Sequence, residues 1–240
     1  MRLSDFKVLS FDCYGTLIDW ETGLLAAFEP WRSRTRVGIK TETLLEAFAR
    51  HEASQQSETP TMLYPDVLAR VLNRIGAELD APAGEEEMKR FGQSVPDWPA
   101  FPDSGLALEY LHGFYQLIIL SNVDRESFAA SEAKLGVKFD AVYTAQDIGS
   151  YKPDVRNFDY LIDHVAERGF ASGDLLHVAQ SLFHDHGPAH SRGLASAWID
   201  RQGDQPYGGA TSAPPADVRY DFRFDSLAAL ADAHRAEINS

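Results

Sequence analysis

Four polar clusters carry the residue types for nucleophilic chemistry: Asp12-Cys13-Tyr14-Gly15-Thr16, Ser121-Asn122, Lys152, and Gln180-Ser181 with Asp185 beyond. A carboxylate such as Asp12 can attack carbon. Hydroxyls such as Thr16 and Ser121 can aim it by hydrogen bonding, and an ammonium such as Lys152 steadies negative charge. Each cluster also has a plainer reading. Asp12 before glycine can cap a turn, Ser121-Asn122 can cap a helix, Lys152 can be a solvated loop lysine, and Asp185 a surface acid. What favours a site is position, since each cluster follows an apolar run of strand length. Val8, Leu9 and Phe11 lead into Asp12, Gln116 to Leu120 into Ser121, and Leu175 to Val178 into Gln180, while Phe139 to Thr144 precede Lys152. Such runs mark parallel strands buried on both faces. Their carboxyl ends form the rim on which α/β sheets bind ligands, so four clusters on one rim converge on a point. Gly15 allows a sharp turn, so N–H groups from Cys13 to Gly15, with that of Asn122, can cradle a substrate carboxylate.

Helical spacing fills the intervals between these runs: Leu106, Leu108 and Leu111 after a cap at Ser104, Phe128 to Leu135, Phe158 to Val165, and a closing helix with Leu227, Leu230 and Ala231. Ala195 to Ile199 is one more strand. The alternation predicts an α/β fold, a parallel three-layer sheet with right-handed crossovers. Residues 18–99 lack a convincing strand. Leu24, Leu25 and Phe28, then Leu44, Leu45 and Phe48, then Val67 to Ile75 recur at helical spacing, with breaks at Pro30, Gly38, Pro60, Pro65 and Gly76. They read as an inserted all-helical cap, leaving 1–17 and 100–240 as the core domain. Pro96 to Pro102 forms the return strap, and Gln202 to Val218, rich in Gly and Pro, reads as a surface loop.

Composition narrows the partners. A net charge of −14 argues against nucleic acid, which draws on clustered Lys and Arg, but a few placed donors can still hold one small carboxylic acid. Cys13 is the sole cysteine, which rules out an internal disulfide and suits a reducing cytoplasm. A thiol beside Asp12 invites a nucleophile reading, yet adjacent strand residues face opposite ways, so packing suits it better. Charges at Asp5, Lys7 and Asp12 interrupt any signal-peptide pattern, and no run approaches membrane-spanning length. The expectation is a soluble cytoplasmic protein, monomer or homodimer.

The ordered set resembles the haloacid dehalogenase (HAD) superfamily over essentially the whole chain. Asp12-Cys13-Tyr14-Gly15-Thr16 matches its first motif, Ser121 the second strand end, Lys152 the lysine before proline, and Gln180 to Asp185 the acidic fourth motif. The resemblance implies a Rossmann-like core with a helical cap, and a covalent ester on Asp12 later hydrolysed by water. Two departures count against the superfamily's phosphatases. Tyr14 stands where they carry a second aspartate, and Ala179-Gln180-Ser181 where they carry a magnesium-binding acid, so no metal cofactor is expected. Asp-x-Tyr-Gly-Thr is the form found in type II 2-haloacid dehalogenases. Segments such as Phe11 to Gly23, Trp98 to Asp103, Ser150 to Pro153, Ser181 to His186 and Asp221 to Phe224 are also similar to L-azetidine-2-carboxylate hydrolases. Dehalogenases carry Ser-Ser-Asn-x-x-Asp in the fourth motif, and this chain's departure tilts the reading from halide release towards ring opening.

The resemblance assigns further roles. Arg50 matches an active-site arginine that clamps an anion, or is a solvated helix residue. Asp185 orients Lys152 or the hydrolytic water, and His184 is a candidate proton donor to a departing amine. His184 and His186 lie two apart, but no further ligand sits at metal spacing. Trp20, Tyr64 and Trp98 wall an apolar pocket or pack the core. Ser181 belongs with Cys13, Tyr14, Trp20, Arg50 and Asn122 to the expected substrate-binding set.

Overall fold

A computed structural model describes residues 1–35, 38–203 and 217–240. Six strands form one parallel sheet: β1 (Val8–Phe11), β2 (Gln116–Ser121), β3 (Ala141–Thr144), β4 (Leu175–Ala179), β5 (Ala195–Ile199) and β6 (Phe222–Phe224). Their order is β3-β2-β1-β4-β5-β6. β1 therefore lies inside the sheet, with Phe11 in register with Ile119 on one side and Val178 on the other. Alternation along β1 sends Leu9 and Phe11 into one core and Val8 into another. The first core takes in α5 (Ser104–His112), α6 (Arg125–Leu135) and α10 (Leu227–Ile238). The second takes in α8 (Arg156–Glu167) and α9 (Gly187–Ser191). The short α7 (Ala145–Ile148) follows β3. This is a Rossmann-like, three-layer arrangement, as the alternating pattern predicts.

Between β1 and α5 the described chain makes four α-helices: α1 (Trp20–Arg34), α2 (Thr41–Glu58), α3 (Tyr64–Glu78) and α4 (Glu85–Gly92). Asp19 starts α1 by accepting the Thr22 N–H, and Pro65 suits the first turn of α3. Phe28 packs at a tilt 4.5 Å from Phe91 and lies edge-on to Phe48, so the helices bury their apolar faces against one another.

Four local expectations change. Pro30 does not end α1, because the carbonyl it leaves without a donor belongs to Ala26, which is exposed to water. Ser104 is the first residue of α5 rather than its cap, and its hydroxyl donates to the Leu17 carbonyl. β3 begins at Ala141, since Asp140 turns its carboxylate to the Leu117 N–H. β6 was not anticipated; three residues are too few for a periodic signal. Of the surface loop expected over Gln202 to Val218, residues 204–216 lie outside the described residues, as do 36 and 37.

Ile18, bridged to Ala100, and the Asp19 N–H on the Pro99 carbonyl tie the entry of the helical insert to its exit. Trp98, 1% exposed, stacks against Gly23 at that junction, and a Cβ on Gly23 would stand 2.4 Å from its ring. The ring cannot move freely, because it meets Tyr14, Trp20 and Tyr64 and its indole N–H reaches Ser94. Gly23→Ala is expected to destabilise the protein by about 1–3 kcal/mol through overpacking, read as a lower urea midpoint with an unchanged slope.

Candidate active site

Asp12 follows β1 directly at the rim, with both carboxylate oxygens engaged. Thr16 Oγ1 donates to Oδ2 at 2.7 Å, and Lys152 Nζ donates to Oδ1 at 2.9 Å. The Gln180 N–H donates to the Thr16 hydroxyl oxygen, which leaves the Thr16 proton for Asp12. Arg201, itself paired with Asp103, donates to the Thr16 carbonyl, so the loop is held at both hydroxyl and backbone. Gly15 adopts φ +94°, and a side chain there would press on Trp20 and Gln180.

Lys152 is fully enclosed, and Nζ donates to Asp12, to Asp185 Oδ1 at 2.7 Å and to the Leu120 carbonyl at 2.9 Å. Its three protons have three acceptors. Asn122 fixes the backbone behind it, accepting from the Lys152 N–H and donating to its carbonyl. Asp185 Oδ1 also meets His177 Nε2, and His177 Nδ1 meets Ser10 on β1. Burial disfavours the Lys152 ammonium, yet the two carboxylates outweigh it and hold the amine above the usual lysine value. Burial also acts to raise Asp185, but Lys152 and His177 hold it well below the carboxylate range. Asp12 moves the other way, raised by burial and by Asp185 against the pull of Lys152 and Thr16.

Above these groups lies a cavity of about 60 Å3, bordered by Trp20, Glu52, Gln56 and Tyr64 from the helices and by Asn122, Gln180 and His184 from the rim. At about 10–15 Å3 per water-sized occupant, it suits a molecule of a few heavy atoms. Glu52 is 8% exposed and accepts the Tyr64 hydroxyl at 2.7 Å. Burial raises its carboxyl to about 7, against the pull of that hydrogen bond. Burial pushes His184 down to about 4, so it is neutral at pH 7.

Asp12, Tyr14, Trp20, Asn122, Lys152, Ser181 and Asp185 all border this cavity. Thr16 touches it through Asp12. Tyr14 turns its hydroxyl away to Ser131, and Ser181 caps the turn Leu182–His186 by accepting the His184 N–H. Three residues depart from expectation. Arg50 lies on the outer face of α2, with a side chain 60% exposed and paired with Glu78, because it sits half a turn from the inward Phe48 and Glu52. Ser121 does not orient Asp12; its hydroxyl is buried without a partner, as is Asp185 Oδ2. The Gly15 N–H, expected in the cradle, donates to Ile18 instead, whereas the Cys13 side chain packs in the core beside Phe11 as strand alternation predicts. The Cys13 and Tyr14 N–H groups have no acceptor among the described residues. Tyr64 fits the pocket-wall reading, and Trp98 the packing one. Sequence reasoning missed Glu52, Gln56 and Arg201. Glu52 and Gln56 continue the inward stripe of Leu45 and Phe48, where polar residues were a readable signal.

The donors do not suit a magnesium ion. Asp12 and Asp185 share an ammonium, Gln180 is a neutral amide, and no three His, Cys, Asp or Glu side chains cluster for a metal among the described residues.

Residues 6–178 match the model of haloacid dehalogenase-like hydrolases. An (S)-2-haloacid dehalogenase of Burkholderia cepacia is 28% identical over 212 residues, spanning 85% of this chain and 87% of its own. A solved defluorinating L-2-haloacid dehalogenase superposes with a TM-score of 0.78 at 20% identity, over 98% of this chain and 99% of the other. The L-2-haloacid dehalogenase of Xanthobacter autotrophicus, solved with chloropropionic acid covalently bound, gives 0.78 at 19% identity over 96% and 98%. These two likenesses establish the shared fold.

The electrostatics of Glu52 carry a test of their own. A carboxyl raised in the folded state stabilises fully below its unfolded value near 4.5 and loses that contribution as pH rises through about 7. Glu52→Gln removes this dependence. Between pH 5 and 8.5 its stability relative to the parent should therefore rise, by up to about 3 kcal/mol, in urea titrations at both ends.

Proposed function

The chain belongs to the haloacid dehalogenase-like hydrolases, and from that premise we propose that it displaces a group from C2 of a small 2-substituted carboxylic acid through a covalent ester on Asp12. The observation that carries this reading is the state of Asp12. Its two oxygens are aimed by Thr16 and Lys152 at the floor of a cavity sized for a few heavy atoms.

In the first half-reaction an Asp12 oxygen bonds to C2 as the leaving group departs with the bonding pair. Thr16 and Lys152 hold the carboxylate in line, and the Cys13 and Tyr14 N–H groups are free to receive the substrate carboxylate. In the second, water attacks the Asp12 carbonyl carbon and releases the 2-hydroxy acid. Lys152 then faces the charge that grows on the carbonyl oxygen of the ester. Asp185 Oδ2, which has no hydrogen-bond partner, holds that water in this scheme, while its other oxygen anchors Lys152. Two leaving groups fit this scheme: a halide, as the Burkholderia relative's name describes for that enzyme, or a strained ring nitrogen, as in L-azetidine-2-carboxylate. Each is one displacement at an sp3 carbon beside a carboxylate.

A single turnover in 18O water, followed by mass analysis of the peptide bearing Asp12, is expected to place one heavy oxygen in that side chain. Product formation with an unlabelled peptide would end the proposal. Asp12→Asn should keep the fold and lose turnover. Thr16→Val, which removes the 2.7 Å donor, should lower kcat about 10–100-fold with a smaller change in KM. Hydrolysis of p-nitrophenyl phosphate that a chelator abolishes would replace this reading with a phosphatase.

A further inference from the structure

The helical side of the cavity presents a carboxyl group where an anion-binding arginine was expected. Glu52 borders the same cavity as Asp12, Lys152 and Asp185, while Arg50 is turned out to Glu78. Among the described lining residues, three carboxyls therefore face one ammonium, since His184 is neutral at pH 7. A departing halide would meet a carboxyl on that wall, and a halo-acid would bring a further negative charge into an acidic site. A zwitterion brings no net charge. Trp20 and Tyr64 line the same cavity as Glu52, and aromatic rings suit a cationic nitrogen.

We propose that Glu52 is a specificity-determining residue, the counter-ion for a positively charged leaving nitrogen, so that the site prefers small cyclic 2-imino acids to 2-haloacids. This rests on the Asp12 ester reading and adds the identity of the leaving group. The step balances as follows. The Asp12 oxygen bonds to C2 while the C2–N bond breaks, and its electron pair stays on a nitrogen that already carries two protons. A neutral primary amine results beside Glu52. Hydrolysis of the ester consumes water and frees one proton, which the amine takes up. The product is an open-chain amino 2-hydroxy acid, with its ammonium paired to Glu52. Glu52 stays ionised while the cation is present.

Around Glu52 the titratable or charged groups are Tyr64 from α3, Tyr14 and Asp12 after β1, Tyr151 and Lys152 before α8, and His184 and Asp185 after β4. Of these, Tyr64 is its direct partner. The unliganded carboxyl sits at about 7, so a cation that ionises it must expel protons.

L-azetidine-2-carboxylate and (S)-2-chloropropionate, offered side by side to the parent enzyme and to Glu52→Gln, test the assignment. The parent should open the ring with the lower KM. Glu52→Gln should raise the KM for the ring amine at least tenfold and leave that for chloropropionate unchanged or lower. A merely structural role would move both together. Calorimetry on Asp12→Asn, in two buffers of different ionisation enthalpy at pH 7, should show roughly half a proton released as the ring amine binds. This measurement needs no change at Glu52, so it stands even where Glu52→Gln fails to fold. A KM for the ring amine within twofold of the parent's, binding without proton release, or halide release without ring opening overturns the assignment. Label in Asp12 under any of those outcomes leaves the ester reading intact, whereas an unlabelled Asp12 removes both.

Discussion

An ammonium with almost no access to water, wedged between two buried carboxylates, is the constraint from which the rest of this site follows. Lys152 spends all three protons on Asp12, Asp185 and the Leu120 carbonyl. Burying three charges is costly in itself and is tolerable only because each is met at hydrogen-bond distance. That requirement explains the neighbouring residues. Asn122 clamps the Lys152 backbone, His177 links Asp185 to Ser10 in β1, and the Gln180 N–H sets which way the Thr16 hydroxyl points. An arginine fork in place of Lys152 would be too broad to reach three acceptors around one point.

The strand tips and the helices divide the work. The rim supplies fixed polar groups whose backbone belongs to a sheet buried on both faces, so the geometry around Asp12 is inherited from β1, β2 and β4. The wall opposite is aromatic and acidic, built from Trp20, Tyr64, Gln56 and Glu52. The carboxyl on that wall is raised by burial against the pull of a single hydroxyl. Its charge therefore depends on what occupies the cavity, whereas the charges beneath it are settled by their own pairing.

Much of this was legible in the chain because the strands are short, apolar and followed at once by the polar residues that border the cavity. Val8 to Phe11 before Asp12 and Leu175 to Val178 before Gln180 mark both strand and site. The alternation of helix and strand then leads to the three-layer sheet. Direction around a helix was harder. Arg50 and Glu52 are two positions apart on α2, so nearly opposite in azimuth, and a family pattern pointed to Arg50 although the stripe from Leu45 through Phe48 points to Glu52. Ser121 fails for a different reason. A residue at a strand end can face either side of the rim, and hydrogen-bond partners are a property of three dimensions. Arg201 could be seen only once folding had brought β5 beside the loop after β1.

The helices α1 to α4 enter and leave between Ile18 and Ala100, two residues bridged to each other beside the sheet. A segment tethered at one such neck can be rewritten without disturbing the strands that carry Asp12, Lys152 and Asp185. Substitutions confined to codons 20–64 would thus reshape the helical wall of the cavity while the polar groups of the rim are passed on unaltered. Divergence among descendants of such a gene would then concentrate upstream of β2, leaving the downstream half to record common ancestry.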